Sequence, residues 1–313
     1  MPCSSSPSMP EPATLRPGDV AVALAQIPAR QAWADDDAVE ANTKTIRSLY
    51  EIHADEADLV VFPELALTGY IPLKGYDQRR KRILSAAADE AAGSSLPQLL
   101  EASRGRRAVM VVGLMEPAAM RHEFYNSVAV LDDGRIVAVY RKIHLPVEEN
   151  HYFLPGDEVV VAQTRAGVIA PMVCYDLLFP EVTRMAALRG VEIIVMVSNW
   201  LDIAHLRRLG EVLPVARALE SHAHVLFVNG VGDLEVRGHR FTLYGRSRAV
   251  TATGDLVAEA DESEGVVVAT LPGAALDAAS EVFPVMRDRR PSIYIPLTAP
   301  TSEFASLSAD VPD

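Results

Sequence analysis

Short apolar runs alternate with longer amphipathic stretches along most of this chain. VAVALAQI (Val20 to Ile27) reads as a buried strand. Asp35 to Asp37 supply an acidic start for a helix through about Ala54, with Val39, Ile46, Leu49 and Tyr50 on its apolar side. LVVF (Leu59 to Phe62) is the next strand, and Pro63 stops its ladder. Lys74 to Ser103 is expected to be helical with a break near Gly93, and Ala108 to Leu114 returns to a strand. Ser127 to Leu131 and Arg135 to Tyr140 flank Asp132-Asp133-Gly134, a hairpin signal. Val168 to Val173 runs as a strand into Cys174, and Gly190 ends a helix over Pro180 to Arg189. Glu192 to Val197 is a strand, and His205 to His224 a helix with Leu206, Leu209, Leu213 and Ala216 on one face. Val225 to Asn229, Thr242 to Val250 and Gly265 to Leu271 complete the strands.

Apolar runs interleaved with helices indicate an α/β domain with helices covering sheet faces, and the hairpin makes the sheets mixed. No linker divides the middle, so a single domain is expected over 18–283, after a flexible leader 1–17 and before a Pro-rich arm or tail over 284–313. The 313 residues carry 29 Lys and Arg against 42 Asp and Glu, a net charge of −13. That argues against nucleic acid or an anionic membrane as partner. No apolar run reaches the roughly 18 residues of a membrane span. Of two cysteines, Cys3 lies in the leader and Cys174 in mid-chain, which excludes a disulfide framework and a cysteine zinc site. A cytoplasmic, reducing compartment is the default expectation. Neither glycine-rich phosphate-binding motif is present, so nucleotide binding has no support.

Three chemically distinctive residues end apolar strands: Glu64 after LVVFP, Lys142 after IVAVYR and Cys174 after VIAPMV. Sites in open α/β sheets form at the carboxyl ends of strands. If the three meet, they make a coherent set. The carboxylate takes a proton from the thiol, the thiolate attacks a carbonyl, and the ammonium stabilises the oxyanion. Taken singly, each has a plainer reading: an inert core cysteine, a solvated turn and a surface charge.

The local sequences add to this. FPELALTGY (Phe62 to Tyr70), YRKIHLP (Tyr140 to Pro146) and CYDLLFPE (Cys174 to Glu181) resemble, in order, the three signature segments of the nitrilase superfamily of carbon–nitrogen hydrolases. ENHYFLPGD, VSNW and ARALES resemble three further segments, and the likeness runs from about Val20 to Tyr294. The resemblance implies a four-layer αββα sandwich of two mixed β-sheets with outer helices. It implies Glu64 as general base, Lys142 as oxyanion-stabilising cation, Cys174 as nucleophile, and Glu149 as a second glutamate that positions the lysine. It implies no metal or organic cofactor, and a homodimer or larger homo-oligomer. Nitrilases proper carry Trp then Glu after the cysteine. Tyr175 and Asp176 stand here, as in the amidase and carbamoylase branches. Leu178 and Leu201 depart from the family, which commonly has Arg and Pro there.

The expected activity is hydrolysis of a small linear amide with release of ammonia. The alternatives are an N-carbamoyl amine substrate, a nitrile, or an idle binding scaffold. Tyr70, Tyr175, Asn199 and Trp200 are candidate substrate contacts. His144 and His151 flank the lysine as a minor alternative for the base. His222, His224 and His239 lack metal-ligand spacing. Arg79 to Arg82 reads as a solvated helix face.

Overall fold

The structure is a computed structural model that describes residues 18–30, 37–71, 78–146, 149–236, 239–281 and 283–298. The first apolar run forms β1 (Val20–Gln26), whose side chains alternate between two destinations. Val20, Val22 and Leu24 enter one apolar core and Ala23 and Ala25 another. The same division holds in β2 (Leu59–Val61), β3 (Val109–Pro117) and β4 (Phe124–Asp132), where Val61, Val111 and Val130 face the first core and Val60, Met110 and Leu131 the second. Strands buried on both faces read as near-continuous apolar runs, as β1 and β2 do.

With β5 (Arg135–Arg141) and β14 (Gly265–Leu271), they build a six-stranded sheet in the order β14-β1-β2-β3-β4-β5. The β1-β2 and β2-β3 pairs are parallel and the others antiparallel. Asp133 and Gly134 at the expected hairpin have φ of 50° and 74°, the left-handed pair that a tight turn requires. The second sheet contains β6 (Ala162–Thr164), β7 (Gly167–Val173), β8 (Ile193–Ser198), β9 (His224–Asn229), β12 (Arg248–Val250) and β13 (Leu256–Glu259). Its order is β13-β12-β9-β8-β7-β6, parallel over β7-β8-β9. A separate hairpin pairs β10 (Asp233–Val236) with β11 (His239–Thr242).

The first core fills the space between the sheets, joining Leu24, Val61 and Val111 to Ile169 and Val195, and continues over the outer face of the second sheet, where Phe227 lies under α5. Outside the first sheet lie α1 (Ala38–His53), α2 (Gln78–Glu90) and α3 (Leu96–Ser103); outside the second lie α4 (Pro180–Ala187) and α5 (Ala204–Ser221). This is the expected αββα sandwich. A short α6 (Gly273–Glu281) follows β14, and residues 283–298 continue over α4, where Arg184 Nη1 lies 2.9 Å from the Met286 sulfur. Among the described residues no helix is long and apolar enough to cross a membrane.

Some local expectations need correction. The chain does not break at Gly93: Ala91–Ser95 is a π-helical turn joining α2 to α3. The wider turn re-phases the helix, so Leu84, Ala88, Ala91 and Leu99 all enter the same core. Thr242 to Val250 is not one strand. Gly245 and Arg246 take φ of 59° and 49°, and this left-handed pair separates β11 from β12. The unexpected β6, β10, β13 and α6 are short, and β13 and α6 lie largely exposed, so no apolar run announces them. The helix after β1 starts at Ala38, while Asp35, Asp36, the leader, Lys74 and residues 299–313 lie outside the described residues.

Candidate active site

Glu64, Lys142 and Cys174 leave the same edge of the sandwich, from the carboxyl ends of β2, β5 and β7. Glu64 sits on backbone that is sewn to β3. Phe62 N–H donates to the Val111 carbonyl at 2.8 Å, Leu67 N–H to the Gly113 carbonyl at 3.0 Å, and Met115 N–H to Thr68 Oγ1 at 3.0 Å. Leu65 turns at φ 53°. The fit is tight enough to require glycine at 113, since a Cβ there would stand 2.4 Å from the Pro63 carbonyl oxygen and 2.6 Å from Leu65 N.

Lys142 is fully buried and its ammonium lies between two carboxylates. It donates to Glu64 Oε1 at 2.9 Å and to both oxygens of Glu149 at 2.8 and 2.9 Å. Glu149, at the start of a 3-10 turn, is 3% exposed. Burial opposes the charge on Lys142, but Glu149 and Glu64 outweigh it and hold the ammonium well above its usual pKa. Burial pushes Glu149 up to about 7, against the pull of Lys142 and with the added push of Glu64.

Cys174 opens a 3-10 turn at φ 46°, a left-handed corner that a non-glycine residue seldom takes. It is half-buried and unpaired by disulfide. Its low-dielectric surroundings and the charge of Glu64 push the thiol well above its usual pKa, with Lys142 and a backbone hydrogen bond from Asn199 pulling the other way. The resting Cys174 side chain is therefore a neutral thiol, and a nucleophilic role for it would need a base. Glu64 offers one: Oε1 takes Lys142 and Asn126, whereas Oε2 is buried with no hydrogen-bond partner among the described residues.

The other sequence candidates divide. Tyr70 is buried near Glu64, Glu149 and Cys174, whose charges join burial in holding its phenol far up. Asn199 donates from Nδ2 to the Glu64 carbonyl at 2.6 Å, so its amide supports the carboxylate segment; Gly230 makes room for its Oδ1. Trp200 is 4% exposed and packs edge-on against Phe227, whose ring lies under α5. Tyr175 is half-buried and lies edge-on to Phe179. His144 is bonded to the Asp176 carboxylate through Nδ1 at 2.8 Å and stacks on Phe179 with centroids 3.5 Å apart. Leu178 packs against the apolar cluster around the second sheet, and Leu201 bridges to Leu243. His224 is a buried neutral ring, held near 4 by burial. Arg79 and Arg82 are exposed on α2. Among the described residues no group of three or more His, Cys, Asp or Glu is placed to hold a metal ion.

Two parts of the site escaped the sequence reading. Asn126 donates from Nδ2 to Glu64 Oε1 at 2.7 Å from near the start of β4. Asp176 is wholly buried and takes Tyr140 Oη at 2.7 Å and the backbone N–H of His144 at 2.9 Å, tying the cysteine turn to the lysine strand. The available signal was a polar residue inside an apolar strand in the first case, and a carboxylate beside the nucleophile in the second.

Comparison with known proteins agrees with this geometry. The family model described as carbon-nitrogen hydrolase matches residues 21–280. The chain is 34% identical to a 2-oxoglutaramate amidase of Paenarthrobacter nicotinovorans over 76% of this chain and 80% of that protein. It is 30% identical to an N-carbamoylputrescine amidase of Arabidopsis thaliana over 79% and 86%. The fold matches a carbon-nitrogen hydrolase from Helicobacter pylori G27 with a TM-score of 0.77 at 23% identity, covering 90% and 99% of the two chains. It also matches a mutant of the Nesterenkonia AN1 amidase of the nitrilase superfamily with a TM-score of 0.72 at 24% identity, covering 90% and 98%. The chain belongs to the carbon-nitrogen hydrolase family, and it is a hydrolase of non-peptide carbon–nitrogen bonds.

Proposed function

We propose that this protein hydrolyses a small linear primary amide through a thioester on Cys174. The observation that carries the reading is the buried Lys142 ammonium held between Glu64 and Glu149, with Cys174 beside them and one Glu64 oxygen free. As the sulfur attacks the carbonyl carbon, Glu64 takes the thiol proton. The charge that develops on the carbonyl oxygen is stabilised by Lys142 and by backbone N–H groups of the turn after Cys174. Glu64 returns the proton to the departing nitrogen and ammonia leaves. Water then attacks the thioester, Glu64 takes its proton, and the carboxylic acid departs as the thiol is restored. Glu149 holds the lysine in place throughout.

The curated relatives support an amide over a nitrile, since they include a 2-oxoglutaramate amidase and an (R)-stereoselective amidase. A second reading, an N-carbamoyl amine, is favoured by the N-carbamoylputrescine amidases among them. We propose further that Tyr70 contacts the substrate, that the chain works as a homo-oligomer, and that it works in a reducing compartment such as the cytoplasm. An ammonia-release screen over amides, N-carbamoyl amines and nitriles tests the reaction, with carbon dioxide marking the carbamoyl case. Release that persists undiminished in Cys174→Ala would overturn the proposal. Light scattering reads the subunit number.

A further inference from the structure

We propose that Asn126 is the positioning residue that sets the base and the lysine against each other, its side-chain amide holding one oxygen of Glu64 and its backbone carbonyl holding the amide of Lys142. The two bonds come from one residue on β4: Nδ2 to Glu64 Oε1 at 2.7 Å, and Lys142 N–H to the Asn126 carbonyl at 2.8 Å. Glu64 and Lys142 come from different strands, β2 and β5, and β4 pairs with β5 on one side and β3 on the other. Asn126 is wholly buried; its Nδ2 is satisfied by Glu64, while its Oδ1 is buried with no hydrogen-bond partner among the described residues.

The inference rests on reading Glu64 as the base, and it adds a reason for that residue's asymmetry. A carboxylate can rotate about its last bond and present either oxygen. With Lys142 and Asn126 both on Oε1, rotation breaks two charge-assisted bonds, and Oε2 stays partnerless for the thiol proton. Asn126 also adds a neutral donor where two carboxylates share one ammonium. A donor there favours ionised carboxyls; its hydrogen bond pulls Glu149 down, against the burial that pushes it up. Removing it raises the pH at which Glu149 takes up a proton.

The test uses the full chain and two variants. Asn126→Leu keeps roughly the shape and removes the donor. Asn126→Asp keeps the size and replaces the donor with an acceptor that becomes a donor only when protonated. For Asn126→Leu we expect kcat to fall about a hundredfold with KM changed by less than about threefold, and the acid limb of kcat/KM to move up by about one pH unit. For Asn126→Asp we expect a comparable loss at alkaline pH and partial recovery as the pH falls and the introduced carboxyl gains a proton. If Asn126→Leu does not fold, Asn126→Asp decides alone. Folded variants with the parent's rate and pH profile, or failure of both to fold, would overturn the proposal in favour of a purely structural asparagine. Cys174→Ala is run alongside. If it retains hydrolysis, the reading of the whole site fails; if it is dead while the Asn126 variants behave as the parent, only the role of Asn126 fails.

Discussion

The site has two halves, and they are built on opposite plans. The half carried by the first sheet is crowded with bonded charge: Lys142 is fully buried, Glu64 and Glu149 flank it, and Asn126 adds a further donor. The half carried by the second sheet is sparse. Cys174 is half-buried, stands on a left-handed corner, and is a neutral thiol at rest. Fixed charge on one side keeps its arrangement before substrate arrives, so little reorganisation is needed when an oxyanion forms. A lightly held thiol on the other side is free to become bonded to carbon. The difference predicts that substitutions in the two halves will separate activity from stability.

The widest separation is expected at Cys174. Cys174→Ala should lower kcat on the order of 10^4-fold or more, while the melting curve shifts by less than about 1 kcal/mol equivalent. Lys142→Ala should affect both. It leaves two buried carboxylates facing each other, and breaking a buried pair costs about 3–5 kcal/mol. In the proposed mechanism it also removes the cation over the oxyanion, for a kcat loss of about 10^2 to 10^3-fold. Calorimetry with steady-state assays reads both quantities. Equal stability loss in the two variants would remove the contrast between the halves.

These two residues were legible in the sequence because strand ends are legible. Cys174 follows a largely buried apolar run, and Lys142 follows an apolar edge strand announced by the Asp133-Gly134 turn; such runs declare themselves without a partner in view. What makes the site work at atomic scale was not legible, because it consists of contacts between distant strands. Gly113 reads as an ordinary glycine in a strand until the Pro63–Leu65 backbone is laid across it. Asn126 reads as an unexplained polar break until Glu64 is placed above it. Trp200 looked like a pocket aromatic from its position after β8, and its ring packs on Phe227, which lies under α5. The π-helical turn at Ala91–Ser95 was hidden for a related reason: its cause is the core that both flanking helices face.

The charged half should also leave a mark on pH dependence. Glu149 is pushed up to about 7 in the fold from an ordinary 4.5. Between those values the folded chain holds a proton that the unfolded chain has released. Stability therefore falls as the pH rises across that window and is highest below it. Glu149→Gln has no proton to lose, so its melting temperature should lack this decline, a difference of a few degrees between the two profiles. Parallel profiles from pH 4.5 to 7 would mean that the proton resides elsewhere.

The smallest expected effect probes the tie between the halves. Asp176, two residues beyond the nucleophile, accepts from Tyr140, two residues before the lysine, at 2.7 Å. Burial and the Asp176 charge hold the Tyr140 phenol well above its usual pKa, so it stays a donor at any working pH. Tyr140→Phe removes that donor with almost no change of shape. Asp176 keeps the backbone N–H and ring of His144 on its other oxygen, so the loss should be about 1.5–2 kcal/mol, the lower part of the range for a bond to a charged group. The rate decides what the tie is for. If Asp176 only fills its own hydrogen-bonding needs, kcat in the folded variant matches the parent. If it holds the thiol in register with the ammonium, kcat falls several-fold at unchanged KM, because a misplaced nucleophile weakens the transition state and leaves ground-state binding alone. The second outcome is expected, since Asp176 is the one carboxylate bonded to the lysine strand from the cysteine turn.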